Sequence, residues 1–377
     1  MKKSLIALGL MSAAASPVSA QNAMTLYGII DAGITFTNNA GGHQFWQVQS
    51  GVAQGSRWGI KGAEDLGQGV RAIFQLESGF NVDTGKLGQG GLIFGRQAYV
   101  GLSDSKYGTV TVGRQYDPVA DLVQPAVMNG SSGAFFSHAG DIDNSNNGFR
   151  VSNAVKYVTA PLGGLTFEAL YAFGEQAGNY RGNSTVGAGA SYGSGPVYLG
   201  AAYFYARNPA TQFPDGNWAP NTTNPGVSGR GPFGYVGNPS NMETYAAGGT
   251  YSFGQAGLIG MDFSHVSFDD ANGVTGNTVK FDNYEIWGRY YFTPVLQTTL
   301  GYTFTRAKVD ATGGSPKYHQ LNALLDYYFS KRTDVYLMGI YQQSAGGARA
   351  DVYDGATGSQ SSTTRQVVAR VGVRHKF

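Results

Sequence analysis

The sequence predicts an all-β fold, a sixteen-stranded antiparallel transmembrane β-barrel, on three observations. No segment beyond residue 20 reaches 18 uninterrupted apolar residues, so a spanning helix is excluded and a membrane location requires a closed barrel. Apolar and polar residues alternate strictly along many short segments, the pattern of a strand with one face in lipid and the other in water. The connections between these segments fall into two length classes, seven tight turns and eight long polar stretches, which join sixteen strands and leave both chain ends on the tight-turn side.

Taken in order, residues 1–20 read as a secretory signal peptide, with Lys2 and Lys3 as the basic region, Leu5 to Met11 as the apolar region and Val18-Ser19-Ala20 before the cleavage point. Residues 21–377 form one barrel domain. The clearest strand is Val70 to Glu77, where Val70, Ala72, Phe74 and Leu76 point one way and Arg71, Ile73, Gln75 and Glu77 the other. Leu300, Tyr302 and Phe304 alternate with Thr299, Gly301 and Thr303. The closing segment sets Val367, Ala369, Val371, Val373 and Phe377 opposite Arg370, Arg374 and Lys376. Tight turns are expected at Asp65 to Gly69, Ser103 to Gly108, Ala160 to Gly164, Gly193 to Pro196, Gly254 to Gly257, Thr293 to Val295 and Ser330 to Thr333. Long loops are expected near 37–55, 80–91, 117–149, 175–184, 207–241, 267–280, 306–317 and 342–364. Sixteen strands enclose a water-filled lumen, whereas about eight would be filled by side chains.

Composition agrees with this reading. Glycine numbers 57, tyrosine and phenylalanine together 45, and charged residues make up only 13% of the chain, which suits strands, turns and membrane-interface belts. Without its first twenty residues the chain has a formal charge of zero and no basic run, which argues against nucleic-acid binding. Cysteine is absent, so no disulfide or thiol framework is expected, and none of the five histidines forms an i,i+4 pair or an H-E-x-x-H motif. G-x-S-x-G does not occur, and Gly187-Ala188-Gly189 lacks a phosphate-loop Lys-Ser/Thr and reads instead as a thin stretch of barrel wall. These features favour neither an enzyme nor a cofactor protein.

The run T-L-Y-G-I-I-D-A-G (25–33), followed by S-R-W-G-I-K-G-A-E-D-L-G-Q-G (56–69), resembles the opening of the general trimeric porins of β-proteobacteria. The segments I-F-Q-L-E-S-G-F (73–80), F-G-R-Q-A-Y-V-G-L (94–102), Y-G-T-V-T-V-G-R-Q-Y-D (107–117) and V-G-V-R-H-K-F (371–377) are similar to that family's in the same order. The resemblance implies an outer-membrane general diffusion channel for small hydrophilic solutes and ions, short periplasmic turns, long extracellular loops, and a third loop, here about 117–149, folded inward to narrow the pore. It also implies a homotrimer in outer-membrane lipid, no cofactor, and a C-terminal aromatic, Phe377, read by the outer-membrane assembly machinery. Constriction arginines of anion-selective members fall on Arg57, Arg96 and Arg150, and a glutamate on Glu77. The loop acids Asp121, Asp141 and Asp143 join the same group.

Side-chain parity tests these residues independently. Arg57 and Lys61 lie opposite Trp58 and Ile60 and should face the lumen, as should Arg71, Glu77 and Arg150. Arg96 shares its parity with Phe94, Ala98 and Val100, so its place rests on the resemblance. Arg114 shares a face with Val110 and Val112 and is assigned to the rim or a bulge. The basic groups are expected to outweigh Glu77 and the loop acids, which are expected in the solvated part of the loop. Anions should then be mildly preferred, because a charge about 5 Å from a passing ion in water contributes roughly 0.8 kcal/mol, about a fourfold bias. The alternative is a sugar-type specific channel, for which Tyr27, Trp287 and Tyr328 have lumen-facing parity.

Overall fold

The computed structural model describes residues 23–221, 231–353 and 356–377, so the signal-peptide reading of 1–20 lies outside the described residues. The chain begins with β1 (Ala23–Ala40), β2 (His43–Ser50), β3 (Arg57–Gly67), β4 (Val70–Gly79), β5 (Gln97–Asp104) and β6 (Gly108–Gln115). A long inward-folded loop leads to β7 (Val151–Val158), β8 (Leu165–Ala172), β9 (Thr185–Ser194) and β10 (Val197–Arg207). The wall is completed by β11 (Asn241–Ser252), β12 (Gly257–Asp269), β13 (Val279–Thr293), β14 (Leu296–Val309), β15 (Lys317–Tyr328), β16 (Thr333–Ala345) and β17 (Arg365–Lys376).

Each strand pairs antiparallel with its neighbours, and β17 returns to β1 in the register Ile29↔Lys376 to Thr37↔Val368, which closes the sheet and removes its edges. The seventeen segments fill sixteen positions, because β2 and β3 both pair with the same side of β1, through Ala32↔Ser50 and Ile29↔Arg57. Between them residues 51–56 leave the wall. Asp31 fixes this excursion: its carbonyl accepts from Gly51 N–H (2.9 Å) and Ser56 Oγ (3.0 Å), and its carboxylate from Gln54 N–H (2.7 Å) and Tyr336 hydroxyl (2.7 Å).

The expected long loop at 37–55 is corrected. The chain there is the β1–β2 hairpin, turning at Gly41 and Gly42, both with positive φ. Gln47 and Gln49 are polar residues of this strand. They face inward, where their side-chain amides donate to the carbonyl of Ala356 at 2.9 and 3.0 Å. The remaining long loops fall where the polar stretches do, and the tight turns likewise.

Outward faces carry Leu26, Ile34, Val100, Leu300, Leu321 and Val371, all exposed in the isolated chain, as lipid contact requires. Near three of the tight turns, Tyr251/Phe253, Tyr290/Phe292 and Tyr327/Phe329 form edge-on pairs with centroids 5.1 to 5.3 Å apart, the expected aromatic girdle.

The largest apolar core among the described residues lies inside the barrel, where the third and fifth loops pack on the wall. Phe149 stacks on Phe213 at 4.4 Å, and Trp218 meets Phe233 and Phe268 edge-on. The third loop runs as short helical turns along inward glycines. A Cβ at Gly200 would lie 1.9 Å from the carbonyl oxygen of Leu122, one at Gly248 would lie 2.9 Å from Cβ of Ala126, and one at Gly301 would lie 2.4 Å from Sδ of Met128. Gly187 and Gly189, within β9, meet Pro118 and Leu122 in the same way, as the thin-wall reading expects.

Candidate functional site

The excursion at 51–56, the second loop and the ends of the third loop enclose a polar cavity of about 350 Å³ inside the barrel, lined by Arg57, Arg96, Arg150 and Tyr116 together with loop amides. Arg57 opens β3 as the chain returns from the excursion. Arg96 sits in the bend before β5, and Arg150 ends the third loop. Glu77, near the end of β4, lies behind the first two: its carboxylate is 2.7 Å from Nε of Arg96 and 3.8 Å from Nε of Arg57, and it also accepts from Tyr27 hydroxyl at 2.8 Å.

Tyr116 completes the group. Its hydroxyl accepts from Arg96 at 2.9 Å and donates to Glu77 at 3.1 Å, and the guanidiniums of Arg96 and Arg150 lie 5.9 and 5.8 Å from its ring centre. Burial, with Arg96 nearby, brings the Arg150 guanidinium down to about 10, so it remains charged at neutral pH. Among the described residues no aspartate or glutamate lines this cavity. Three positive groups therefore face one opening, while the nearest carboxylate is turned toward two of them from behind.

The other expected site residues lie elsewhere. Lys61 is on β3 four residues nearer the tight turns than Arg57, its ammonium 5.4 Å from the Tyr27 ring centre. Arg71 is corrected: it is exposed beside the β3–β4 turn, registered with Asp65, and six residues from Glu77 along a strand is about 20 Å. The loop acids are also corrected, because Asp141 and Asp143 are buried and Asp121, partly exposed, is tied to the wall. Asp121 is ion-paired with Lys156 of β7. Asp141 and Asp143 are buried, the first accepting from Asn146 N–H (2.7 Å), the second bonded to His138 (2.7 Å) and Ser264 (2.5 Å). They anchor the loop.

Two features escaped the sequence reading. Tyr116 lies in the segment Y-G-T-V-T-V-G-R-Q-Y-D but outside the strand, where parity says nothing. Asp31, in T-L-Y-G-I-I-D-A-G, holds the excursion from which Arg57 emerges. A sugar-type aromatic ladder is not formed by the three aromatics considered for it. Trp287 is buried with its indole donating to Ala126 carbonyl (2.8 Å), Tyr27 is tied to Glu77, and the Tyr328 hydroxyl accepts from the Gln297 side-chain amide at 2.9 Å.

Known proteins share this architecture. The anion-selective porin from Comamonas acidovorans superposes with a TM-score of 0.75 over 94% of this chain and 100% of that one, at 22% identity. In sequence, outer membrane porin protein 32 of Delftia acidovorans is 28% identical over 388 aligned residues, all of both chains. An outer membrane porin protein of Bordetella pertussis is 37% identical over 187 residues, 46% of this chain and 48% of that one. The family model for the Gram-negative porin matches residues 5–347. With a closed antiparallel barrel, an interior loop and an arginine-lined opening in place, the chain belongs to the Gram-negative porin family and is an outer-membrane diffusion channel.

Proposed function

We propose that this channel passes small hydrophilic solutes with a mild preference for anions, and that Arg57, Arg96 and Arg150 set that preference at its constriction. The observation that carries the reading is the cavity lining, three guanidiniums without a carboxylate among the described residues. A passing anion meets these charges in hydrated surroundings, so each contributes a bias of a few fold and not an absolute filter. Lys61 extends the positive field below the opening. Asp121, Asp141 and Asp143 contribute little to it because each is bonded within the loop or to the wall.

The working unit is a homotrimer. Leu26, Ile30, Ile34, Val367, Val371 and Val373 form a broad apolar strip on the closing strands, suited to a neighbouring barrel wall. Residues 1–20 direct export, 21–377 form the single barrel domain, and Phe377 marks the chain for the assembly machinery. The role is transport without catalysis.

Planar-bilayer recording in a KCl gradient tests the reading. The parent protein should insert in units of three equal conductance steps and show an anion-selective zero-current potential. Replacing Arg57, Arg96 and Arg150 by Glu should reverse that potential. The effect should shrink at high salt as the Debye length falls from about 10 Å at 0.1 M to about 3 Å at 1 M. An unchanged potential with conductance intact would remove these arginines from the constriction.

A further inference from the structure

Behind the third loop lies one buried cluster of ionisable side chains, none of which lines the arginine-lined cavity. His138 of the loop, Asp262 of β12 and Glu285 of β13 each present a ligand atom, and these atoms all lie within 4.8 Å of one another. The three residues are 1%, 7% and 4% exposed. Nε2 of His138 is 2.9 Å from Oδ1 of Asp262, while Oδ2 of Asp262, also buried, has no hydrogen-bond partner. Counting Asp143, three carboxylates converge on one imidazole, and among the described residues none is ion-paired with a lysine or arginine. Uncompensated carboxylates are costly to bury, so this cluster calls for a further positive charge.

We propose that His138, Asp262 and Glu285 form a site for one divalent transition-metal ion, of which zinc fits the ligand chemistry best. One imidazole nitrogen and two carboxylates are the donor types that zinc takes with bonds of about 2.0–2.2 Å. In a tetrahedral site such donors stand about 3.3 Å apart, so donors that now lie within 4.8 Å of one another would draw together on the ion. The surroundings are those of a metal-binding histidine. Its other nitrogen, Nδ1, is 2.7 Å from Asp143, which fixes the ring with Nε2 facing the cluster, and Asp143 is itself held by Ser264 Oγ at 2.5 Å and Ser145 N–H at 3.3 Å. Glu285 is steadied by Met128 N–H at 2.7 Å and Thr303 hydroxyl at 2.9 Å. The ion would join the middle of the third loop to two wall strands and leave the fourth position to a water or to the second oxygen of a carboxylate.

The test uses the full folded barrel, refolded in detergent with or without zinc and then desalted. One zinc per chain is expected, with affinity reduced at least tenfold in Asp262→Asn and Glu285→Gln, and by about ten- to a hundredfold in Asp143→Asn, which removes the support of the histidine. His265→Gln, a variant at a half-exposed histidine outside the cluster, should bind as the parent does. Cobalt substitution of the unaltered chain gives a readout that needs no variant. A strong visible spectrum of a four- or five-coordinate ion supports the site, and the weak spectrum of a six-coordinate surface ion overturns it. Zinc far below one per chain, or zinc retained in full by Asp262→Asn, would likewise overturn the inference and leave protons as the counter-charge of the cluster.

Discussion

At the scale of single residues, Arg114 shows how one side chain can hold several segments. Its guanidinium donates to the carbonyl of Gly95 (2.8 Å), to Ser152 Oγ (2.8 Å) and to the carbonyl of Arg150 (3.3 Å), and it is paired with Asp215 of the fifth loop at 2.5 Å. Arg114→Ala would leave a buried carboxylate unpaired, a change that typically costs about 3–5 kcal/mol. The expected outcome is a lower unfolding temperature and faster proteolysis of the fifth loop, with the zero-current potential nearly unchanged. Parity had put Arg114 on the face of Val110 and Val112. It is turned away by a bulge, where the register with β7 shifts between Gly113 and Gln115 and Gly113 takes φ 137°. Glycine inside a strand pattern is the signal for such a bulge, and it stands in the sequence beside the arginine. Arg96 misled for a related reason, since it precedes β5 and no strand parity applies to it. Asp117 adds a pH effect. Burial, reinforced by Asp121, pushes its carboxyl up to about 6 against hydrogen bonds from Ala120, Asn144 and Val119. The folded chain therefore holds this proton more tightly than the unfolded one, whose Asp titrates near about 3.9. Stability from this group is present below about pH 4 and is lost as pH rises through about 6. Unfolding followed at several pH values should show that downward slope, and Asp117→Asn should flatten it.

At the scale of elements, the position of the third loop is written in the wall as much as in the loop. Gly200 of β10 admits the Leu122 carbonyl, and Tyr198 hydroxyl donates to that same oxygen at 2.8 Å. Gly200→Val would force the loop away from β10 and toward the lumen, a repacking that costs typically about 1–3 kcal/mol. Single-channel recording should show lower conductance, and thermal unfolding a lower midpoint. Conductance equal to the parent's would mean that the loop adjusts along the wall instead. The strands were legible because alternation reports lipid against water directly. The path of the loop was not, because periodicity carries no information about which inward glycine faces which loop residue. The same limit explains Asp141 and Asp143: a loop acid looks solvated until the wall that buries it is known. It also explains the first hairpin, whose inward glutamines have the composition of a loop and the geometry of a strand.

At the scale of the whole molecule, Phe377 pairs with β1 across the seam. Phe377 N–H donates to Gly28 carbonyl and Gly28 N–H to Phe377 carbonyl, both at 3.0 Å. Its ring covers Gly28, where an added Cβ would lie 2.3 Å from Cζ, so an aromatic shields a glycine backbone across the seam. Deleting Phe377 is expected to lower the folded yield in cells more than the yield of refolding in detergent, measured as the heat-modifiable folded fraction. Equal losses in the two settings would make the residue an interface anchor alone. Sixteen strand positions, their order and both chain ends were readable from turn lengths, because a closed up-and-down barrel is a simple consequence of alternating short and long connections.

The seam between β1 and β17 also sets a rule of timing. It joins Ile29 to Lys376, residues 347 positions apart in sequence, whereas every other neighbouring pair meets across a local hairpin or its loop. Hairpins can form early, since their loops are short to close, but the seam carries the largest loop-closure entropy in the molecule. No partial product of synthesis or export can therefore satisfy the edges of β1 on both sides. Until β17 arrives, the sheet remains open, with unpaired backbone groups that would pair with any other exposed strand. The chain must consequently be kept apart from its copies for the whole interval between leaving the cytoplasmic side and meeting the outer membrane.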